Sequence, residues 1–225
     1  MYVVFVTGGL ASGKKTVCSL LQQYGATVFD LDAIAKKEQE SPCVLASLQQ
    51  EFGKDVLTRS GELDRSLLAK RAFATVEAAD KLNAICWPPV LKHLTELLAD
   101  VTCEATDQNT TQINRLTDQQ PADNKLIAVE IPLLVEASLN APEFLGLADE
   151  IIAVETDIKV RFARAVKRGM KPTDAQNRLR LQASDEQRRA LATVVFNNNG
   201  TYAELEKQVR SWYAHFFGKR VPSHK

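Results

Sequence analysis

Nine consecutive residues near the start of the chain, Gly8-Gly9-Leu10-Ala11-Ser12-Gly13-Lys14-Lys15-Thr16, fit the spacing G-x-x-x-x-G-K. Glycines let a backbone curl until successive N–H groups point into one concavity, and a helix N-terminus behind them adds partial positive charge. Such a loop cradles phosphates, and Lys14 is placed to reach β- and γ-phosphate oxygens. The next position departs from the pattern. A hydroxyl residue normally follows the lysine and ligates Mg²⁺, whereas here Lys15 stands there and Thr16 comes one place later. One step along a helix turns a side chain by about 100°, so Thr16 is no automatic substitute. Two arrangements stay open: magnesium held through waters and other acids, or a Lys15 that weakens metal binding.

Two further groups can do chemistry. Asp30 and Asp32 flank Leu31 at the end of the apolar run Ala26–Asp30, where open α/β sheets collect their ligands. Asp32 would equally suit a helix N-cap. Arg164 and Arg168, four apart, share a helix face just before the Gly169–Pro172 break. Arg161, Lys167 and Arg178 add positive charge nearby, a pattern that a solvated basic face would also give.

These groups need a frame. Val3–Thr7 is a continuous apolar run, as expected for a strand covered on both faces. The spacing of Val17, Leu20 and Leu21 predicts a helix over Lys14–Tyr24, ended by Gly25. Ala26–Asp30, Lys125–Glu130, Glu150–Val154 and Thr193–Asn197 read as four more strands. Asp157 is a candidate cap for a helix running to about Arg168. Thr201–Phe217 reads as a helix with Leu205, Val209, Trp212 and Phe216 on one face. Helical patterns dominate from Asp32 to Ala99, with interruptions expected at Ser41-Pro42, Gly53, Gly61 and Pro88-Pro89. Residues 102–124 are polar and Thr/Gln/Asn-rich, and are expected to form an exposed loop.

The alternation of strands and helices predicts an α/β fold: a five-stranded parallel sheet flanked by helices. The expected division is a core of 1–31, 125–160 and 190–217, a helical subdomain over 32–101, the polar insertion 102–124, and a segment over 161–189. The 225 residues carry 28 basic and 28 acidic side chains, which excludes a strongly basic nucleic-acid binder. The four cysteines and three histidines are scattered, so no zinc site is expected and the thiols read as reduced. The apolar N-terminus is too short for a membrane span and lacks a basic lead-in. A soluble cytoplasmic protein is expected, with no membrane or nucleic-acid partner, as a monomer or weak homo-oligomer.

Taken together, T-G-G-L-A-S-G-K-K-T (7–16), V-F-D-L-D-A-I-A-K (28–36), E-F-G-K-D-V-L (51–57), G-E-L-D-R-S-L-L (61–68), I-P-L-L-V-E (131–136), Arg164 with Arg168, Gln182 and V-V-F-N-N-N-G (194–200) resemble the dephospho-CoA kinase family. The resemblance runs in order along nearly the whole chain. It implies a P-loop kinase, similar to nucleoside monophosphate kinases, that uses ATP and Mg²⁺ to phosphorylate the ribose 3′-hydroxyl of dephospho-CoA, giving coenzyme A. It also implies site roles. Lys14, Asp32, Arg164 and Arg168 would be catalytic, with Asp32 the base and the arginines on a lid over 161–189. Gly8 to Thr16 and Asn198 would bind the nucleotide. Thr16 and Asp30 would serve the metal. Asp30, Asp32, Lys36, Asp64, Arg65, Trp87 and Glu136 would surround the acceptor, with 32–101 the acceptor-binding subdomain. Two alternatives are kept: a catalytically weak ATP- or coenzyme A-binding paralogue, motivated by Lys15 and Ala11, and a same-fold kinase with another acceptor, motivated by Lys36 and Trp87.

Overall fold

The computed structural model describes residues 1–72, 74–106 and 125–217. They group into two compact units. One holds Met1–Asp30 and the described parts of Asn109–Ser138 and Glu143–Lys225; the other holds the described parts of Leu31–Gln108, with Leu139–Pro142.

The first unit is built on strands β1 (Tyr2–Gly8), β2 (Thr27–Asp30), β3 (Leu126–Glu130), β4 (Glu150–Glu155) and β5 (Val194–Asn197). They form one sheet in the order β2-β3-β1-β4-β5, every pair parallel. The expected five-stranded parallel sheet is therefore present. Parallel neighbours need crossovers, and helices supply them: α1 (Lys14–Gln23), α6 (Leu134–Asn140), α7 (Ile158–Lys167), α8 (Pro172–Leu181), α9 (Asp185–Leu191) and, after the last strand, α10 (Tyr202–Phe217). Val4 and Val6 of β1 pack with Leu20, Leu21, Leu205 and Val209 in one cluster, which fixes α1 and α10 on that face. Phe5 points the other way and stacks on Phe144, centroids 4.8 Å apart. That two-sided burial is why β1 reads as unbroken apolar sequence. Tyr24 closes α1 and Gly25 follows at φ +96°. Asp157 caps α7 by accepting from Lys159 N–H at 2.7 Å. Phe216 is 39% exposed although its ring reaches Trp212, so the buried stripe of α10 stops at Trp212 and Tyr213.

The helical unit contains α2 (Leu31–Glu38), α3 (Pro42–Phe52), α4 (Arg65–Ala72) and α5 (Val76–Thr106). Val44, Leu48, Phe52, Val56 and Leu68 form its core, with Leu82 and Ile85 against them. Two expectations need correction. Pro88-Pro89 lie inside α5 rather than interrupting it. A helix-interior proline costs about 3 kcal/mol or more, and burial of Val90, Leu94 and Leu98 at helical spacing beyond the pair offsets it. The loop expected from 102 does not begin there, because α5 continues through Thr106; no Gly or Pro stands between Pro89 and Pro121 to stop it. The rest of the polar insertion, 107–124, lies outside the described residues. Among the described residues no helix is long and apolar enough to cross a membrane.

Candidate active site

The glycine-rich segment runs from the end of β1 into α1, as its spacing requires. Gly13 closes the loop at φ +109°. Ala11 sits at φ +57°, the one non-glycine with positive φ among the described residues. An L-residue held there costs roughly 1–2 kcal/mol, so the loop keeps a left-handed turn at a residue that carries a Cβ. Residues just beyond β4, β5 and α8 hold its shape. Asn198 Nδ2 and Thr156 Oγ1 both donate to Ser12 C=O, at 2.7 and 2.8 Å. Leu10 N–H donates to Gln182 Oε1 at 2.8 Å.

Lys14 is buried, and its ammonium donates to the carbonyls of Gly8 at 2.8 Å and Gly9 at 3.1 Å. The N–H groups of Ala11, Gly13 and Lys15 have no partner among the described residues. Ser12 Oγ is buried without one. A concavity of unpaired backbone donors with a buried ammonium beside it suits a polyphosphate.

Oxygen ligands stand next to it. Asp30 ends β2 and lies in register with Glu130 at the end of β3. Lys15 Nζ stands 3.6 Å from Asp30 Oδ2, with the lysine side chain 78% exposed. An ion pair so solvated is worth about 0–1 kcal/mol. Thr16 is half-buried in the first turn of α1. Hard carboxylate and hydroxyl oxygens beside a phosphate site fit Mg²⁺, which keeps waters and phosphate oxygens as its other ligands. Cys18, beneath this corner, has its thiol pushed up to about 12 by burial and by the Glu130 carboxylate. It is therefore no nucleophile at neutral pH. Asp32 falls within the first turn of α2, which starts at Leu31, so it is not that helix's N-cap; its side chain is exposed.

The arginines divide. Arg164 Nη2 donates to Asn198 C=O at 3.1 Å, which brings it to the residue that steadies the loop. Arg168 is the exposed C-cap of α7. Lys167 and Arg178 are exposed, as a solvated face would be, but Arg161 is 5% exposed and paired with Asp185 at 2.9 Å. Burial holds the Arg161 guanidinium below its ordinary value, with Asp185 acting against the shift. Sequence reasoning missed Arg188, 4% exposed, which also donates to Asp185 at 2.8 Å. The local signal was the Ser184-x-x-Gln187 capping box, which starts α9 and sets the spacing of Asp185 and Arg188.

Of the residues expected around an acceptor, Asp64 caps α4, accepting from Ser66 and Leu67 N–H at 3.0 and 2.9 Å. Arg65 donates to Gln39 Oε1 at 2.6 Å and Glu40 Oε1 at 2.9 Å, at the end of α2. Lys36 is exposed on α2 and Trp87 half-buried on α5. Glu136 belongs to the sheet unit, where it accepts from Ala183 N–H at 3.0 Å, one residue after the Gln182 that holds Leu10.

A dephospho-CoA kinase family model matches residues 2–110 and 106–204. The dephospho-CoA kinase of Corynebacterium diphtheriae is 32% identical over 96% of this chain and 98% of its own length. That of Mycolicibacterium paratuberculosis is 37% identical over 93% of this chain, and the chain spans about half of that protein, 46%. Among solved structures, TT1252 from Thermus thermophilus matches with a TM-score of 0.73 and 28% identity, over 95% of this chain and 97% of that one.

Proposed function

The chain belongs to the dephospho-CoA kinase family, and on that premise we propose that it transfers the terminal phosphoryl group of ATP to the ribose 3′-hydroxyl of dephospho-CoA. The bond from the γ-phosphorus to the β–γ bridging oxygen breaks and a bond to the 3′-oxygen forms, giving coenzyme A and ADP. One observation carries the nucleotide half of this reading: a buried Lys14 ammonium beside the unpartnered N–H groups of Ala11, Gly13 and Lys15.

Phosphoryl transfer needs positioning and charge neutralisation more than covalent chemistry. The loop residues Gly8 to Thr16, steadied by Asn198, hold the triphosphate, and Lys14 leaves its two carbonyls for β- and γ-oxygens. Asp32 accepts the 3′-hydroxyl proton. Arg164 neutralises charge on the transferring group, and Arg168, exposed at the end of α7, joins it when the nucleotide is bound. Thr16 and Asp30 would hold Mg²⁺, which when bound neutralises charge on the β- and γ-oxygens. Lys36, Asp64, Arg65, Trp87 and Glu136 serve the acceptor; within the helical unit Asp64 caps α4 and Arg65 pairs with Glu40 beyond α2. The protein acts in the cytoplasm on a free small molecule, as a monomer or weak homo-oligomer.

Purified protein with ATP, Mg²⁺ and dephospho-CoA is expected to form coenzyme A at about 1 s⁻¹ or faster, the ordinary kinase range. ATP binding without product would favour a second reading, a weakly active ATP- or coenzyme A-binding protein, which draws on the Lys15–Asp30 pair. Turnover of another hydroxyl compound would reassign the acceptor.

Lys15→Ser is expected to keep or raise turnover and to lower the free Mg²⁺ needed for half-maximal rate by up to about fivefold, the equivalent of a solvated ion pair. Rates measured across a Mg²⁺ titration check this. A collapse in rate would mean that Lys15 itself carries a catalytic duty.

A further inference from the structure

Three cations converge on Gly9. The Lys14 ammonium touches its carbonyl at 3.1 Å. On the other side, a Cβ added to Gly9 would strike Arg161 Nη1 and come within 3.1 Å of Arg188 Nη2. The two guanidiniums are 5% and 4% exposed and share a single carboxylate, Asp185, one oxygen each. The other acids near Arg161 are engaged elsewhere. Glu155 takes both prongs of Arg189, at 2.9 and 2.6 Å, and Asp157 caps α7. Arg161 Nε is buried with no hydrogen-bond partner. Two buried cations on one anion leave an excess positive charge, and buried charge is stable only when paired and hydrogen-bonded.

We propose that Arg188, held together with Arg161 against Gly9 by Asp185, is a binding residue for the terminal phosphate of the nucleoside triphosphate. The placement puts the pair at the β- and γ-phosphate end of the cradle. Lysines of such loops reach β- and γ-oxygens, and the Lys14 ammonium lies at the same glycine as the two arginines. A planar guanidinium matches phosphate with two parallel bonds, and the missing counter-charge is what a γ-phosphate brings. Gly9 then has a second reason to be glycine: a side chain there would occupy the space of both arginines. Asp185 is a positioning residue, keeping like charges side by side until the phosphate arrives. The proposal rests on the reading that this loop binds a nucleoside triphosphate, and adds Arg188 and Asp185 to it.

Calorimetric titration of ATP and, separately, ADP into the 225-residue chain, without acceptor, tests it. Arg188→Met is expected to weaken ATP by about 10–100-fold, the effect of a lost charged hydrogen bond, while ADP stays within about threefold of the parent. A merely structural arginine would weaken both nucleotides alike, and an unchanged ATP-to-ADP ratio in the variant overturns the proposal. If Arg188→Met fails to fold, Arg188→Lys keeps the charge and the stem, and a selective loss for ATP is again required. A parent chain that binds neither nucleotide overturns this proposal and the nucleotide reading together. A parent that binds both without making coenzyme A bears on the acceptor reading alone.

Discussion

Asp32→Ala is expected to lower coenzyme A formation by about 10²–10⁴-fold, the usual contribution of a positioned general base, while ATP affinity stays within about threefold of the parent. β2 ends at Asp30 and α2 begins at Leu31, so the two carboxylates leave the sheet on different elements. Asp30 is in register with Glu130, a second carboxylate, and Lys15 competes for it at 3.6 Å. Asp32 is exposed in the first turn of a helix. On the proposed mechanism, removing its carboxylate takes away the proton acceptor and leaves the phosphate loop as it was. Steady-state kinetics with a parallel ATP titration separates the two effects. If Asp32 only favours the helix start, it contributes about 0.3–1 kcal/mol to stability; the variant would then melt a little earlier and turn over normally, and its role as base would fail.

What could be read from the residues alone was whatever short-range backbone geometry dictates. The loop, its strand and its helix are contiguous, so spacing places them, and the same holds for the Asp157 cap and for Gly25. Arg161 and Arg188 differ. One lies on α7 and the other on α9, each among exposed basic neighbours in sequence, and only the packing of both helices by the loop buries them. Nothing in local periodicity separates Arg161 from the exposed Lys167 and Arg178. Pro88-Pro89 mislead for the opposite reason: the local rule forbids what tertiary burial of Val90 and Leu94 permits. Asp64 and Arg65 carried a family resemblance, and their contacts are those of helix ends, which the D-R pair followed by an apolar run at Leu67-Leu68 also encodes.

Gly13→Ala is expected to lower the melting temperature by roughly 4–20 °C and to weaken ATP at least about tenfold. Two terms add. At φ +109° an alanine is strained by about 1–2 kcal/mol, and its Cβ would run into Asn198 Nδ2, with Asn198 Cγ at 3.3 Å behind it. Asn198 is buried and cannot step aside without giving up its 2.7 Å bond to Ser12 C=O, a further loss of about 1–3 kcal/mol. For a chain of this size, each kcal/mol is worth about 2–4 °C. The nucleotide effect follows from the same displacement, because Gly13 N–H is among the unpartnered donors of the cradle. A double-mutant cycle isolates the clash. Asn198→Ala gives the new methyl room, so Gly13→Ala with Asn198→Ala is expected to lose less stability than the two changes sum to. Strict additivity would assign the whole defect to backbone strain, and a Gly13→Ala chain with parental melting and ATP affinity would mean that the loop does not need Asn198 this close.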